Sequence, residues 1–129
     1  MKKEIFIKPH NLTHSNLKAF FTTKSLNGSL KDLLKSIYVL EKDVYLPIQK
    51  HTDKVMVLEN DFKPVVADAV ITRKKGVLIG IHVADCVPIL LYDKKKSLVG
   101  AVHAGWRGTA TQILKNTIKT MQEGFHSSA

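Results

Sequence analysis

With 129 residues, 44% of them hydrophobic, the chain has the length of a single domain and is too apolar to be largely disordered. The formal charge of +9 invites a nucleic-acid reading, but the lysines are dispersed. The densest groups, Arg73-Lys74-Lys75 and Lys94-Lys95-Lys96, fall where turns are expected and lack interleaved aromatic residues for base stacking. They read as solvated turns, with attraction of a small anion such as phosphate as the alternative, and no nucleic-acid partner is expected.

In chain order, Glu4 to Ile7 opens as a short strand and Ala19 to Thr23 reads as a second. Asn27-Gly28-Ser29 is a turn whose serine can cap a helix running to about Leu40, since Leu30, Leu33, Leu34, Ile37 and Leu40 recur at helical spacing. Val44 to Ile48 is strand-like with a bend at Pro47, and Lys54 to Leu58 is another strand. Ala67 to Thr72 follows the loop around Pro64. Gly76 turns the chain into Val77–Val83, an unbroken apolar run typical of a strand covered on both faces. Val87–Tyr92 and Ser97–Val102 are strands on either side of the lysine turn. Thr109 with Gln112 has the form of a capping box for a helix to about Glu123, with Leu114, Ile118 and Met121 as its buried stripe and Gly124 as its stop.

The longest apolar stretch, Gly76 to Tyr92, is interrupted by His82, Asp85 and Cys86, so it is not expected to span a membrane. The N-terminus has no apolar core for a signal peptide, and one cysteine excludes an internal disulfide. The expected location is the cytoplasm.

Three polar clusters end strand-like runs: Gln49-Lys50-His51, Ala84-Asp85-Cys86-Val87-Pro88, and His103-Ala104-Gly105-Trp106-Arg107-Gly108. His51, Cys86 and His103 together are ligands of the kind zinc prefers, and three protein ligands with a fourth position for water suit a catalytic ion. Each residue also has a plainer reading. A lone cysteine is often a small buried apolar residue. His51 can be a solvated turn residue. His82, four residues before Cys86, is a rival ligand or a pocket residue on the same strand face. Gly108 and Thr109 open a helix whose free amides can hold an anion, with Arg107 able to pair with phosphate; the alternative is a strand-to-helix turn with Trp106 packed and Arg107 in a structural ion pair. Asp68 either orients a ligand histidine or ends a loop. His10, His14 and His126 read as solvated.

These residues carry a resemblance. Gln49 and His51, Ala67-Asp68-Ala69, Ala84-Asp85-Cys86 with Pro88, and the whole of His103 to Gly108 match in order and interval the pattern of the bacterial laccase-domain proteins. Phe21-Thr22-Thr23-Lys24 resembles that family's opening strand. The family was once described as polyphenol oxidases and is now regarded as purine nucleoside phosphorylases. The resemblance implies an α+β fold of mixed β-sheets with helices packed outside, an α/β/β/α layering shared with Cys-His toxin deamidases. It implies metal ligation by His51, Cys86 and His103, with zinc as the ion and copper as the alternative. The implied activity is phosphorolysis of adenosine, inosine or methylthioadenosine to free base and ribose 1-phosphate, with adenosine deamination at the same site. The implied partners are purine nucleosides and phosphate. Family members are about twice this length, so residues 1–129 are expected to be one domain corresponding to their N-terminal half, a truncated form with unpaired sheet edges and exposed apolar faces. The loop after Lys24 is also shorter than the family's.

On this reading Arg107, Gly108 and Thr109 bind phosphate, His82 lies at the pocket, and Asp85 handles a proton or orients a ligand. Two rivals stand beside it. Cys86 can be a nucleophile with His103 as its base, in a metal-free amide hydrolase. The chain can also be an inactive fragment that binds nucleosides without turnover. A true laccase is disfavoured, because one cysteine and few histidines cannot build several copper sites.

Overall fold

The computed structural model describes residues 6–8, 17–22, 30–83, 87–105 and 108–125, in two compact units, Met1–Asp43 and Val44–Ala129. The Asn27-Gly28-Ser29 turn and the Cys86 cluster up to Cys86 itself lie outside the described residues, as do Trp106 and Arg107.

In the first unit β1 (Phe6–Ile7) pairs antiparallel with β2 (Phe21–Thr22), placing Phe6 opposite Thr22. Helix α1 (Leu30–Ile37) buries Leu33 and Leu34. It ends three residues before the expected Leu40, which is exposed. The cause is a Schellman cap: the Tyr38 N–H donates to the Lys35 carbonyl at 3.5 Å and the Val39 N–H to the Leu34 carbonyl at 3.0 Å. Tyr38 adopts a left-handed φ of 58° to make it, without the glycine that usually signals such a cap. That conformation costs an L-residue about 1–2 kcal/mol, and the Tyr38 side chain is 96% exposed, so packing offsets little of it. Tyr38→Gly is therefore expected to stabilise the protein by about 1 kcal/mol. The check is the urea midpoint, and a lowered midpoint would refute the cap's strain.

The second unit is built on a four-stranded mixed sheet in the order β4-β5-β8-β7. β4 (Val55–Leu58) runs parallel to β5 (Ala69–Thr72), and β5 is antiparallel to β8 (Leu98–Ala104). β8 forms a hairpin with β7 (Val87–Asp93), closed by the lysine turn, with Asp93 opposite Leu98. The Asp93 carboxylate accepts from the Lys96 N–H at 3.1 Å and Ser97 takes a positive φ of 52° to complete the turn.

The pleat gives each strand two faces. On one, Val55, Ala69, Ile71, Ile89, Leu91, Val102 and Ala104 pack against α2 (Gly108–Phe125) through Ile113 and Met121. On the other, Leu58, Val70 and Ala101 pack against Tyr45 and Ile79 of a second, two-stranded parallel sheet, β3 (Val44–Tyr45) with β6 (Leu78–Ile79). The fold is thus α+β, with three of the expected layers inside this unit.

Several expectations are corrected here. The apolar run Val77–Val83 is a strand only at Leu78–Ile79, because its partner β3 is two residues long. His82 and Val83 are exposed and lie outside any strand. The α2 stripe is Ile113, Thr117 and Met121, one position before the expected Leu114 and Ile118, and Ile118 is 36% exposed. Gly124 does not stop the helix, which continues to Phe125. Thr109, expected as the helix cap, lies inside α2, and the Gln112 side chain donates forward to Asn116 at 3.1 Å.

β7 is the edge strand on its side of the sheet among the described residues. Val87 is 58% exposed, and with Ile89, Ala104, Leu114 and Ile118 it lines an open apolar groove of about 730 Å³ rimmed by Lys115 and Lys119. The basic groups Arg73-Lys74-Lys75 and Lys94-Lys95-Lys96 are exposed, and no helix among the described residues is long and apolar enough to cross a membrane.

Candidate functional site

The candidate site lies on the face of the sheet opposite α2. His103 and Ala101 share one parity of β8, and Asp68 shares that of Val70 on β5. Residue 68 is bound on both sides by the sheet. Its N–H donates to the Lys54 carbonyl at 3.0 Å, and its own carbonyl accepts from the His103 N–H at 2.7 Å. Those two rungs prolong β4–β5 and β5–β8 by one step and set the Asp68 and His103 side chains beside each other.

Asp68 is fully buried (0% exposed), a costly place for a carboxylate unless every lone pair is used. Oδ2 accepts from His103 Nδ1 at 2.7 Å and from the His51 N–H at 3.2 Å. Oδ1 accepts from the N–H groups of Lys50 at 3.2 Å and Thr52 at 2.7 Å, and from the Thr52 hydroxyl at 2.8 Å. Three successive amides thus turn inward around one anion, a backbone nest. The bend that aims them is His51, whose φ is +58°. Burial pushes the Asp68 carboxyl up, but the bonds from His103, Thr52 and Lys50 outweigh it and hold the group below its ordinary range. Its contribution to stability is therefore complete above about pH 4 and is lost as pH falls through the lowered native value.

The pair fixes the chemistry of His103. With Nδ1–H donated to a carboxylate, the neutral ring keeps its lone pair on Nε2, the arrangement found behind many metal-ligating histidines. The His51 ring lies against it, centroids 5.1 Å apart and planes tilted by 58°. Two imidazoles on one tetrahedral ion, at Zn–N distances of about 2.0–2.1 Å, have centroids separated by about 5 Å. The spacing of the two rings is compatible with a shared ion. Among the described residues no group of three histidine, cysteine or carboxylate side chains is gathered for a metal. Cys86, Asp85 and Arg107 lie outside the described residues, as does the side chain of Thr109; the backbone of Gly108 and Thr109 opens α2.

His82 is exposed, and its backbone, rather than its ring, is tied into the site region. Gln49 Nε2 donates to the His82 carbonyl at 2.6 Å, and Gln49 Oε1 accepts from the His82 N–H at 2.7 Å. In the sequence Asp68 stands between two roles, and Thr52 and the side chain of Gln49 carry none. The available signal for Asp68 was a carboxylate between two alanines at the start of an apolar strand. Thr52 had no signal.

Residues 22–129 match the family described as multi-copper polyphenol oxidoreductase laccase, and the chain belongs to it. Among its relatives, a purine nucleoside phosphorylase of Clostridium acetobutylicum is 37% identical over 128 residues, 99% of this chain and 53% of that protein. A purine nucleoside phosphorylase of Aquifex aeolicus is 51% identical over 84 residues, 64% of this chain and 40% of that protein. Adenosine deaminase RL5, from an unknown prokaryotic organism, is 37% identical over 89 residues, 61% of this chain and 34% of that protein. A solved Neisseria meningitidis protein superposes with a TM-score of 0.75 at 25% identity, covering 92% of this chain and 58% of the other. The chain spans about half the length of the Clostridium relative and less of the other two.

Proposed function

We propose that the chain carries the metal-binding part of a purine nucleoside phosphorylase, with His51, Cys86 and His103 as the ligands of a zinc ion. The observation that carries this reading is the Asp68–His103 pair with the His51 ring beside it. The names of the relatives support the substrate class, purine nucleosides with phosphate, and the deaminase relative supports adenosine deamination at the same centre. When bound, zinc supplies Lewis acidity at the reacting atoms. The chain's own residues do the rest. Asp68 orients the His103 ring. Arg107, with the amides of Gly108 and Thr109 at the start of α2, holds phosphate so that its oxygen meets the anomeric carbon as the purine leaves. Asp85 handles a proton or orients a ligand, and His82 borders the pocket.

The same Asp68–His103 pair would also serve a thiol nucleophile at Cys86, the metal-free amide hydrolase reading. Stoichiometric zinc separates it from rapid thiol alkylation of an active metal-free protein. The deciding assay is phosphate-dependent release of adenine from adenosine by zinc-quantified protein, with Cys86→Ala as control. Release that tracks one zinc per chain and vanishes in Cys86→Ala is expected; turnover retained without zinc or without Cys86 would remove this mechanism. Zinc bound without base release would favour a nucleoside-binding fragment.

A further inference from the structure

We propose that Gln49 is a positioning residue of this centre: its side-chain amide replaces a missing rung of the β-ladder and fixes the His51 turn against the segment that runs into Cys86. The inference rests on the metal-centre reading above.

The ladder between β3 and β6 pairs Val44 with Leu78 and Tyr45 with Ile79, and ends with the Gly80 N–H donating to the Tyr45 carbonyl at 3.1 Å. Beyond that point the two chains part. Pro47 has no N–H to offer, and Ile48 turns to Val66, its N–H donating to the Val65 carbonyl at 2.9 Å while its carbonyl accepts from Ala67 at 3.0 Å. Among the described residues, 81–83 are thus left without a strand partner.

Gln49 bridges that gap. Its amide engages both backbone groups of His82, donating at 2.6 Å and accepting at 2.7 Å, as a neighbouring peptide group would. Glutamate could accept but not donate, and asparagine is one methylene shorter. Gln49 stands two residues before His51, and His82 four before Cys86. The His51 turn is therefore held on one flank by Asp68, through residues 50–52, and on the other by His82 through Gln49. Both bonds to His82 are solvent-exposed, so they add little to stability, and what they control is relative position.

The test titrates the apo full chain with Co²⁺, whose absorption reports thiolate coordination, and follows hydrogen exchange at the His82 amide. Wild type is expected to bind Co²⁺ with a thiolate charge-transfer band and to protect the His82 amide. Gln49→Ala is expected to lose that protection, weaken Co²⁺ binding by about 10–100-fold and lose thiolate intensity, with far-UV circular dichroism unchanged. Gln49→Glu keeps the side chain's size and one of the two bonds, guards against a variant that fails to fold, and is expected to weaken binding by a smaller factor. Unchanged affinity and band in folded Gln49→Ala and Gln49→Glu would overturn this inference alone. Wild type without Co²⁺ binding would remove the metal reading itself.

Discussion

Asp68→Asn is expected to destabilise the protein by about 2–4 kcal/mol and to weaken metal binding by about 10–100-fold. The substitution preserves volume and removes one acceptor oxygen. The carboxylate now receives five donors: three amides, the Thr52 hydroxyl and His103 Nδ1. An amide oxygen can keep the three donors at Oδ1, but its NH₂ then faces the His51 N–H and the His103 ring. The ring can adapt only by moving its proton to Nε2, which removes the lone pair an ion needs. Imidazole nitrogen chemical shifts read that tautomer directly. Wild-type stability together with an Nδ1-protonated ring in the variant would show that Asp68 does not hold His103.

The second large effect has opposite signs in two readouts. His51→Gly is expected to stabilise the apo protein by about 1 kcal/mol while reducing metal affinity by at least about 100-fold. The residue sits at φ +58° and its side chain is exposed. Its bond to Asp68 comes from the backbone N–H, which glycine keeps. Relief of left-handed strain is thus obtained without loss of the nest, whereas His51→Ala keeps the strain and loses the ligand. Glycine more stable than alanine, with both deficient in metal, is the expected pattern. A glycine variant that binds Co²⁺ like wild type would remove His51 from the ligand set. Backbone strain retained at an exposed histidine is the kind of local cost that functional residues carry.

Much of the second unit is legible along the chain. The apolar runs of β4 and β7 locate those strands, the lysine triplet marks the turn between β7 and β8, and His103 stands at the end of a buried strand. Other features depend on partners distant in sequence. The run Val77–Val83 reads as one long strand, and only the brevity of β3 shortens it to two residues. The α1 stop is set by a tyrosine in a conformation that sequence assigns to glycine. In α2 Leu114 and Ile118 suggest one stripe, but the sheet accepts the neighbouring one, Ile113 and Thr117, where the Thr117 hydroxyl donates to the Ile113 carbonyl at 2.7 Å. At the site the His51 and His103 rings lie 5.1 Å apart, a proximity that no local pattern announces, and the hydrogen bonds of Asp68 are visible only when residues 50–52 and 103 surround it.

That dispersion has a kinetic side. The β7–β8 hairpin closes over four residues, whereas the groups that satisfy Asp68 lie 16 to 35 residues away in the chain. Loop closure favours the near contacts first. Asp68 is accordingly expected to find its partners only after β4, β5 and β8 are in register, downstream of the folding barrier. Weakening it would then hasten unfolding and leave the folding rate almost untouched. The nest would act as a late latch, setting how long the assembled fold lasts rather than how quickly it forms.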